Sequence, residues 1–303
     1  MTSQQERVGF VGLGMIGLPM ALRLCTHGVA VRVHNRTRAK VETAAASGAI
    51  AAEDLADLVR NSDLIITCLA GPAADEEVYL GPGGLFGADA AGKLFVNTST
   101  IGPELAVRLA HEAEQRGAGY LDCPLLSGGP ATAVEGSMAI PVGGRPDDVA
   151  RARPVLEILA STVEHVGGPG TGQIVKLANN LQLATNAASL AQALRFSVRA
   201  GVDPEAIARL LVLGSSRSYA MQRYIQDMVS GAYRHEGNLA TLAKDVGLAV
   251  SFAETVGEAA TVGAAAAEVF RAAVAAGFGG WDVPAVIESA GPFRATPTAT
   301  ATG

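Results

Sequence analysis

Short apolar runs alternate with stretches of helical periodicity through the first half of the chain. Val8–Val11, Val29–Val33, Leu64–Cys68, Leu94–Val96 and Tyr120–Asp122 have the length and continuous apolar character of buried strands. Between them lie the helix-forming segments Met15–His27, Arg38–Ser47 and Pro103–Arg116. That alternation predicts βαβ units and a doubly wound parallel sheet, which Met138–Val142 and Val163–Val166 would extend. The pattern changes after the Gly-rich segment Gly167–Gly172. Ile174 to Ala200 contains neither Pro nor Gly and repeats its apolar positions at helical spacing. It predicts one helix of about 40 Å at the usual rise per residue. Asp203 and Pro204 then open a second helix as N-cap and first helical residue. Further helices are expected around Tyr219–Val229, Leu239–Thr255 and Ala259–Ala275. The expected organisation is an α/β domain over 1–168, an all-α domain over 169–292, and a disordered Thr/Ala/Pro tail over 293–303.

Composition narrows the partners. The 303 residues are 49% hydrophobic and 17% charged, and much of the apolar excess is Ala and Gly, which suits close-packed helices. A net charge of −6 offers no basic field for a polyphosphate backbone, so nucleic acid is not an expected partner. The Ala-rich run near Ala259–Ala276 is the strongest candidate for a membrane span, but Glu258, Glu268 and Arg271 argue for a helix in water, and no membrane partner is expected. Met1 to Arg7 lacks the apolar run of a secretion signal. Cys25, Cys68 and Cys123 are widely spaced, odd in number and without metal-ligand spacing. They point to a reduced, cytoplasmic protein with no metal site.

Candidate chemistry begins at Gly12-Leu13-Gly14-Met15-Ile16-Gly17, a G-x-G-x-x-G placed between the first strand and a helix. Gly12 permits the tight turn, Gly14 lets backbone approach a pyrophosphate, and Gly17 lets helix and strand pack closely. Alone the motif is common. With the preceding strand, the following helix and a second strand at the right distance it marks a Rossmann-type dinucleotide site. The second strand ends at His34-Asn35-Arg36-Thr37 with no acidic residue to hold a ribose diol. Arg36 is expected to pair with a 2′-phosphate, with Asn35 and Thr37 donating hydrogen bonds. NADP is therefore favoured over NAD.

Several segments together resemble the β-hydroxyacid dehydrogenase family, which includes 3-hydroxyisobutyrate dehydrogenase and glyoxylate/succinic semialdehyde reductases. They are GLGMIGLPMA from Gly12, NRT from Asn35, STI from Ser99, DCPLLSGG from Asp122, GSMAIPVGG from Gly136, GPGTGQIVKLANN from Gly168 and KDVGLA from Lys244. The resemblance implies that Ser127, Gly128 and Gly129 hold the substrate carboxylate, as a turn of successive amides can. It implies that Lys176 is the catalytic lysine and Asn180 its substrate-orienting partner, four residues apart on one helix face. A lysine can accept the hydroxyl proton, or return it in the reduction, once its surroundings bring its pKa towards the working pH. By the same resemblance, Leu69, Ala70 and Thr100 line the cofactor, and Lys244, of the Lys244-Asp245 pair, reaches its nicotinamide end. The activity implied is hydride transfer between the nicotinamide and a small hydroxy acid or its semialdehyde, in a homodimer or homotetramer.

Departures from the family pattern concern the pocket. Ile16 replaces a usual Met, and Cys123, Leu125 and Leu126 replace smaller or polar residues of the carboxylate motif. Gln192 stands where an acidic residue is usual, and Gly237 where an aromatic is. An imine reductase shares the layout, but such enzymes usually lack a lysine at the position of Lys176. A non-catalytic NADP-binding module would lose that lysine and gain basic segments, and this chain does neither.

Overall fold

The computed structural model describes residues 6–87, 89–126, 129–235 and 238–293. Most of the tail expected to be disordered, 294–303, lies outside them. The chain divides into two compact units, Met1–Lys176 and Leu177–Gly303. The division falls within the long helix, while the Gly168 boundary expected above lies just past the last strand.

The first unit runs β1 (Val8–Val11), α1 (Gly17–Thr26), β2 (Val31–His34), α2 (Arg38–Ala46), β3 (Ile50–Ala51), α3 (Leu55–Arg60), β4 (Leu64–Thr67) and α4 (Pro72–Leu80). It continues through β5 (Leu94–Asn97), α5 (Pro103–Gln115), β6 (Gly119–Asp122), α6 (Pro130–Glu135), β7 (Met138–Gly144), α7 (Pro146–Leu159) and β8 (Ala160–Gly167). The strands form one sheet in the order β3-β2-β1-β4-β5-β6-β7-β8. Strands β1, β4, β5 and β6 are buried along their whole length, as their unbroken apolar runs require of a sheet covered on both faces. One hydrophobic cluster includes Phe10, Met20 and Leu24 with Val33 and Val142, and another joins Ile65, Tyr79, Phe95 and Leu109. The chain order reverses between β1 and β4, which is where sheets of this kind bind ligands.

One expectation needs correction. The sheet is not parallel throughout, because β7 runs antiparallel to β6, pairing Asp122 with Gly143, before β8 resumes parallel to β7. The short α6 returns the chain beside β6 without a full crossover, so the next strand enters from the opposite end. The two-residue β3 and the helices α3, α4, α6 and α7 add to the elements expected, and α7 carries Pro154 within it.

The second unit is helical. Helix α8 (Thr171–Arg199, 29 residues) enters it, followed by α9 (Pro204–Leu211), α10 (Tyr219–Ser230), α11 (Asn238–Thr255) and α12 (Thr261–Ala273). Asp203 caps α9 by accepting from the Ala206 N–H at 2.7 Å. The core gathers Leu190, Leu194, Ile225, Met228, Val246 and Phe270. The segment Thr261–Phe278 is long and apolar enough to pass for a membrane span. In the fold, Ala267, Phe270 and Ala273 of α12 join this core, and Gly277 breaks the helix at a φ of 93°. The buried Arg195 ties α8 to the end of the unit by donating to the carbonyls of Ile287, Ala290 and Gly291.

Candidate active site

The glycine turn joins β1 to α1, and its three glycines answer to different demands. Gly12 has a φ of 98°, and a Cβ there would run into the carbonyl oxygen of Cys68. A Cβ on Gly17 would run into the carbonyl oxygen of Gly12. The fold itself therefore requires both. At Gly14 nothing lies within 4 Å of where a Cβ would stand. This open cradle leads into α1, a ten-residue helix that starts without a side-chain cap. Unused space and uncapped amides at a helix start fit a pyrophosphate group. Gly14→Ala is accordingly expected to leave Tm within about 2 °C of the parent while weakening NADP(H) binding about tenfold or more. Isothermal titration showing an unchanged Kd would remove the cradle from cofactor binding.

Asn35 is engaged with the protein's own backbone. Its Oδ1 accepts from the Leu13 N–H at 2.9 Å and its Nδ2 donates to the Thr37 carbonyl at 3.1 Å. The amide braces the glycine turn against the end of β2, so it supports the cofactor site through the backbone. Arg36 and Thr37 are exposed, and Thr37 N-caps α2 without using its side chain. Burial lowers the pKa of His34 below the ordinary histidine value. The positive charge at this strand end therefore comes from Arg36 and its neighbour Arg38, the latter 3.8 Å from Glu42. Met15 is 48% exposed, Leu13 is buried and Ile16 is half-buried.

The loops after β4 and β5 are held together from beneath. Ser99 Oγ accepts from the Leu69 N–H at 2.9 Å and donates to Asp75 Oδ1 at 3.2 Å. Asn97 donates to Asp75 at 2.8 Å and to Tyr120 at 3.1 Å, and its own Oδ1 accepts from the Ser99 N–H. Asp75, Asn97 and Ser99 are all buried. This network ties the Leu69 N–H to the segment that leads to Thr100. Asp75 and Asn97 are not among the residues expected in the site. The signal for Asn97 was a polar residue ending an otherwise apolar strand, whereas Asp75, within α4, has no such local signal.

After β6 the chain carries the carboxylate motif. Leu126 is pinned to β7 by its N–H donating to the Ala139 carbonyl at 3.0 Å. Ser127 and Gly128 lie outside the described residues, as does Gly237. Gly129 N-caps α6, and its N–H donates to Thr132 Oγ1 at 2.9 Å. Lys176 is half-buried near the start of α8 and donates from Nζ to the Leu125 carbonyl at 2.6 Å. Its amine thus stands on the same short segment as the expected carboxylate-binding residues. Within the helical unit, the buried Asn180 donates from Nδ2 to Asp245 Oδ2 at 2.7 Å. Lys244 Nζ lies 2.6 Å from the other oxygen of Asp245. Asn180, Lys244 and Asp245 therefore form one polar cluster, with Asp245 as its hub.

Residues 7–167 match the family described as the NAD binding domain of 6-phosphogluconate dehydrogenase. Residues 170–290 match the NAD-binding family of NADP-dependent 3-hydroxyisobutyrate dehydrogenase. The chain is 35% identical to 2-(hydroxymethyl)glutarate dehydrogenase of Eubacterium barkeri, over 93% of this chain and 94% of that protein. It is 32% identical to the mitochondrial 3-hydroxyisobutyrate dehydrogenase of Homo sapiens, over 93% and 85% respectively. Among solved structures it is similar to a Mycobacterium tuberculosis 3-hydroxyisobutyrate dehydrogenase with L-serine, at a TM-score of 0.85 and 28% identity, covering 94% of this chain and 99% of that one. A complex of Psf3 with NADP+ and 2-OPP matches at 0.79 and 30%, over 93% and 99%. A reductive aminase from Aspergillus terreus in complex with NADPH matches at 0.61 and 26%, over 94% and 99%.

Proposed function

The chain belongs to the β-hydroxyacid dehydrogenase family, and from that premise we propose that it interconverts a small 3-hydroxy acid and its semialdehyde with NADP as the preferred cofactor. Members of the family are NAD(P)-dependent dehydrogenases acting on the CH–OH group of hydroxy acids. The observation that carries the proposal is the bond from Lys176 Nζ to the carbonyl of Leu125. Leu125 stands two residues before Ser127 along the chain, which supports pairing the proton-transfer group with the carboxylate-binding segment.

The nicotinamide cofactor supplies the hydride acceptor, or the donor in the reverse direction. The protein's own work is to orient and to move a proton. Ser127 and the amides of Gly128 and Gly129 would hold the substrate carboxylate, which fixes the carbinol carbon at a set distance along the substrate. For Gly129 this requires its N–H to leave Thr132 or to share its donation with that hydroxyl. Lys176 would take the hydroxyl proton as hydride departs, with the Leu125 carbonyl limiting where the amine can point. Asn180, itself oriented by Asp245, would hold the substrate hydroxyl. Gly12 to Gly17 would cradle the pyrophosphate, and Arg36 would meet the 2′-phosphate.

Leu126 is larger than the residue usual before the Ser-Gly-Gly turn, which favours a short substrate. A spectrophotometric screen with NADPH and NADP against semialdehydes, 2-oxo acids and 3-hydroxy acids tests the substrate class. Turnover confined to the 3-hydroxy acids and their semialdehydes is the expected result. The likeness to a reductive aminase adds a cyclic imine to the same panel, and preference for that substrate would replace the present reading. The enzyme is further proposed to work as a homodimer or homotetramer. Light scattering that finds only a species of ~31 kDa, the mass of one chain, would contradict this.

A further inference from the structure

Asp122 ends β6 as a buried carboxylate facing the start of α8. Its Oδ1 accepts from the Gly170 N–H at 2.7 Å and its Oδ2 from the Gln173 N–H at 2.8 Å. Gly172, between those two donors, comes so close that a Cβ on it would meet both the carbonyl and the carboxylate of Asp122. The Gln173 side chain, also buried, extends the contact to the neighbouring loop. Its Nε2 donates to the Ser99 carbonyl at 2.9 Å, and its Oε1 accepts from the N–H groups of Ile101 and Gly102. Three residues further along each chain segment, Lys176 on α8 meets the carbonyl of Leu125 beyond β6. The same two segments are thus fastened twice, once at Asp122 and once at the amine.

We infer that Asp122 and Gln173 are positioning residues for the reaction: together they clamp the first turn of α8 to the end of β6 and to the 99–102 loop, and so fix where the Lys176 amine stands. This rests on the proton-transfer role of Lys176 proposed above. A helix start held by one carboxylate and one side-chain amide cannot rotate or slide without losing charge-assisted bonds in a buried place. Displacing a reacting group by about 1 Å costs about a hundredfold in rate.

The clamp depends on the charge of Asp122. Burial is the main influence on this carboxyl and pushes its pKa up to about 6, against the backbone N–H donors that pull it down. Protonation turns one of its two acceptor oxygens into an O–H that faces an N–H. Above about 6 both bonds are made, and as the pH falls through that value one is lost. The residues paired with Asp122 on β5 and β7, Asn97 and Gly143, do not ionise. Tyr120 on its own strand and Cys123 just beyond it are pushed well above their usual values by burial and stay neutral. Lys176 lies on α8, and His165 on β8 is engaged through Nε2 with the carbonyls of Gly144 and Gly167.

The test measures kcat, KM and NADPH affinity in the reductive direction from about pH 5 to about pH 8, where acid favours the protonated lysine that the reduction needs. The wild type should lose kcat as pH falls through about 6. Asp122→Asn, which places an NH2 where the acid form has its O–H, should lower kcat about tenfold to a hundredfold, leave NADPH affinity within about twofold, and abolish the acid limb. Gln173→Met should lower kcat in the same way and keep the limb, and it decides the matter should the Asp122 variant fail to fold. His165→Gln should retain the limb. Wild-type kcat in both clamp variants, an acid limb that persists in Asp122→Asn, or one that vanishes with His165→Gln would each overturn the inference. Lys176→Ala in the same assay separates the two claims. Turnover surviving there removes the role of the lysine, whereas turnover lost there but kept in both clamp variants removes the clamp alone.

Discussion

Replacing Lys176 with alanine is expected to lower turnover about 10²- to 10⁴-fold, the range that a positioned proton-transfer group contributes, while NADP(H) affinity stays within about twofold. The split follows from where the residue stands. Its amine touches the Leu125 carbonyl on the segment leading to the carboxylate motif. The glycine turn, Arg36 and the 99–102 loop involve other elements of the sheet. The side chain is half-buried, so its loss removes little packing and Tm should change only modestly. Lys176→Arg makes the comparison sharper. It keeps a positive charge and hydrogen-bond donors, but a guanidinium does not release a proton in the working range. Turnover should therefore remain low in that variant too. Stopped-flow kinetics together with a fluorescence titration of NADPH would measure both quantities, and an unchanged kcat in the alanine variant would dismiss the lysine from the chemistry.

The second large effect concerns cofactor choice. Arg36→Asp should move the ratio of kcat/KM for NADP over NAD by about a hundredfold towards NAD. Loss of a charge-assisted bond to a phosphate costs about 1.5–3 kcal/mol, or roughly tenfold to a hundredfold. The introduced carboxylate then repels the phosphate and can hold the ribose diol that NAD presents instead. Asn35 is uncharged, and its Oδ1 and one N–H are already used on Leu13 and Thr37, so it cannot replace the charge of Arg36. Arg38, partly drawn to Glu42, and Lys40 are further cations at the start of α2. Adding Arg38→Ala should thus deepen the switch. A ratio unchanged by Arg36→Asp would assign the phosphate to other groups.

Much of the fold could be read from the chain because the central strands are continuous apolar runs and α8 is uninterrupted by Pro or Gly. Such patterns follow from burial on both faces of a sheet and from helical periodicity, and they need no knowledge of neighbours. The direction of β7 could not be read in that way. An apolar strand looks the same from either end, and its direction depends on the path that the connection through α6 takes. The site divides along a similar line. Gly12, Gly14 and Gly17 are legible because a tight turn leaves few residues able to form it. Lys176 is legible only through the whole set of motifs that resembles one family, since a lysine near a helix start is ordinarily a solvated charge. The supporting shell of Asp75, Asn97, Asp122 and Gln173 is made by groups 22 to 74 residues apart along the chain. No local pattern announces such pairs, and Asn35 shows the converse, a residue legible as polar whose actual partner was the backbone of the turn.

The glycine turn has a consequence for reading other sequences. Two of its glycines would persist in any descendant that keeps the β1-to-α1 connection, whether or not it still holds a dinucleotide, because the backbone around them leaves no room for a side chain. The glycine between them is under no such constraint from the protein. In a lineage released from its cofactor, position 14 should be the first of the three to drift. A chain that retains the outer pair but has lost the middle glycine would carry the mark of a fold that has outlived its ligand.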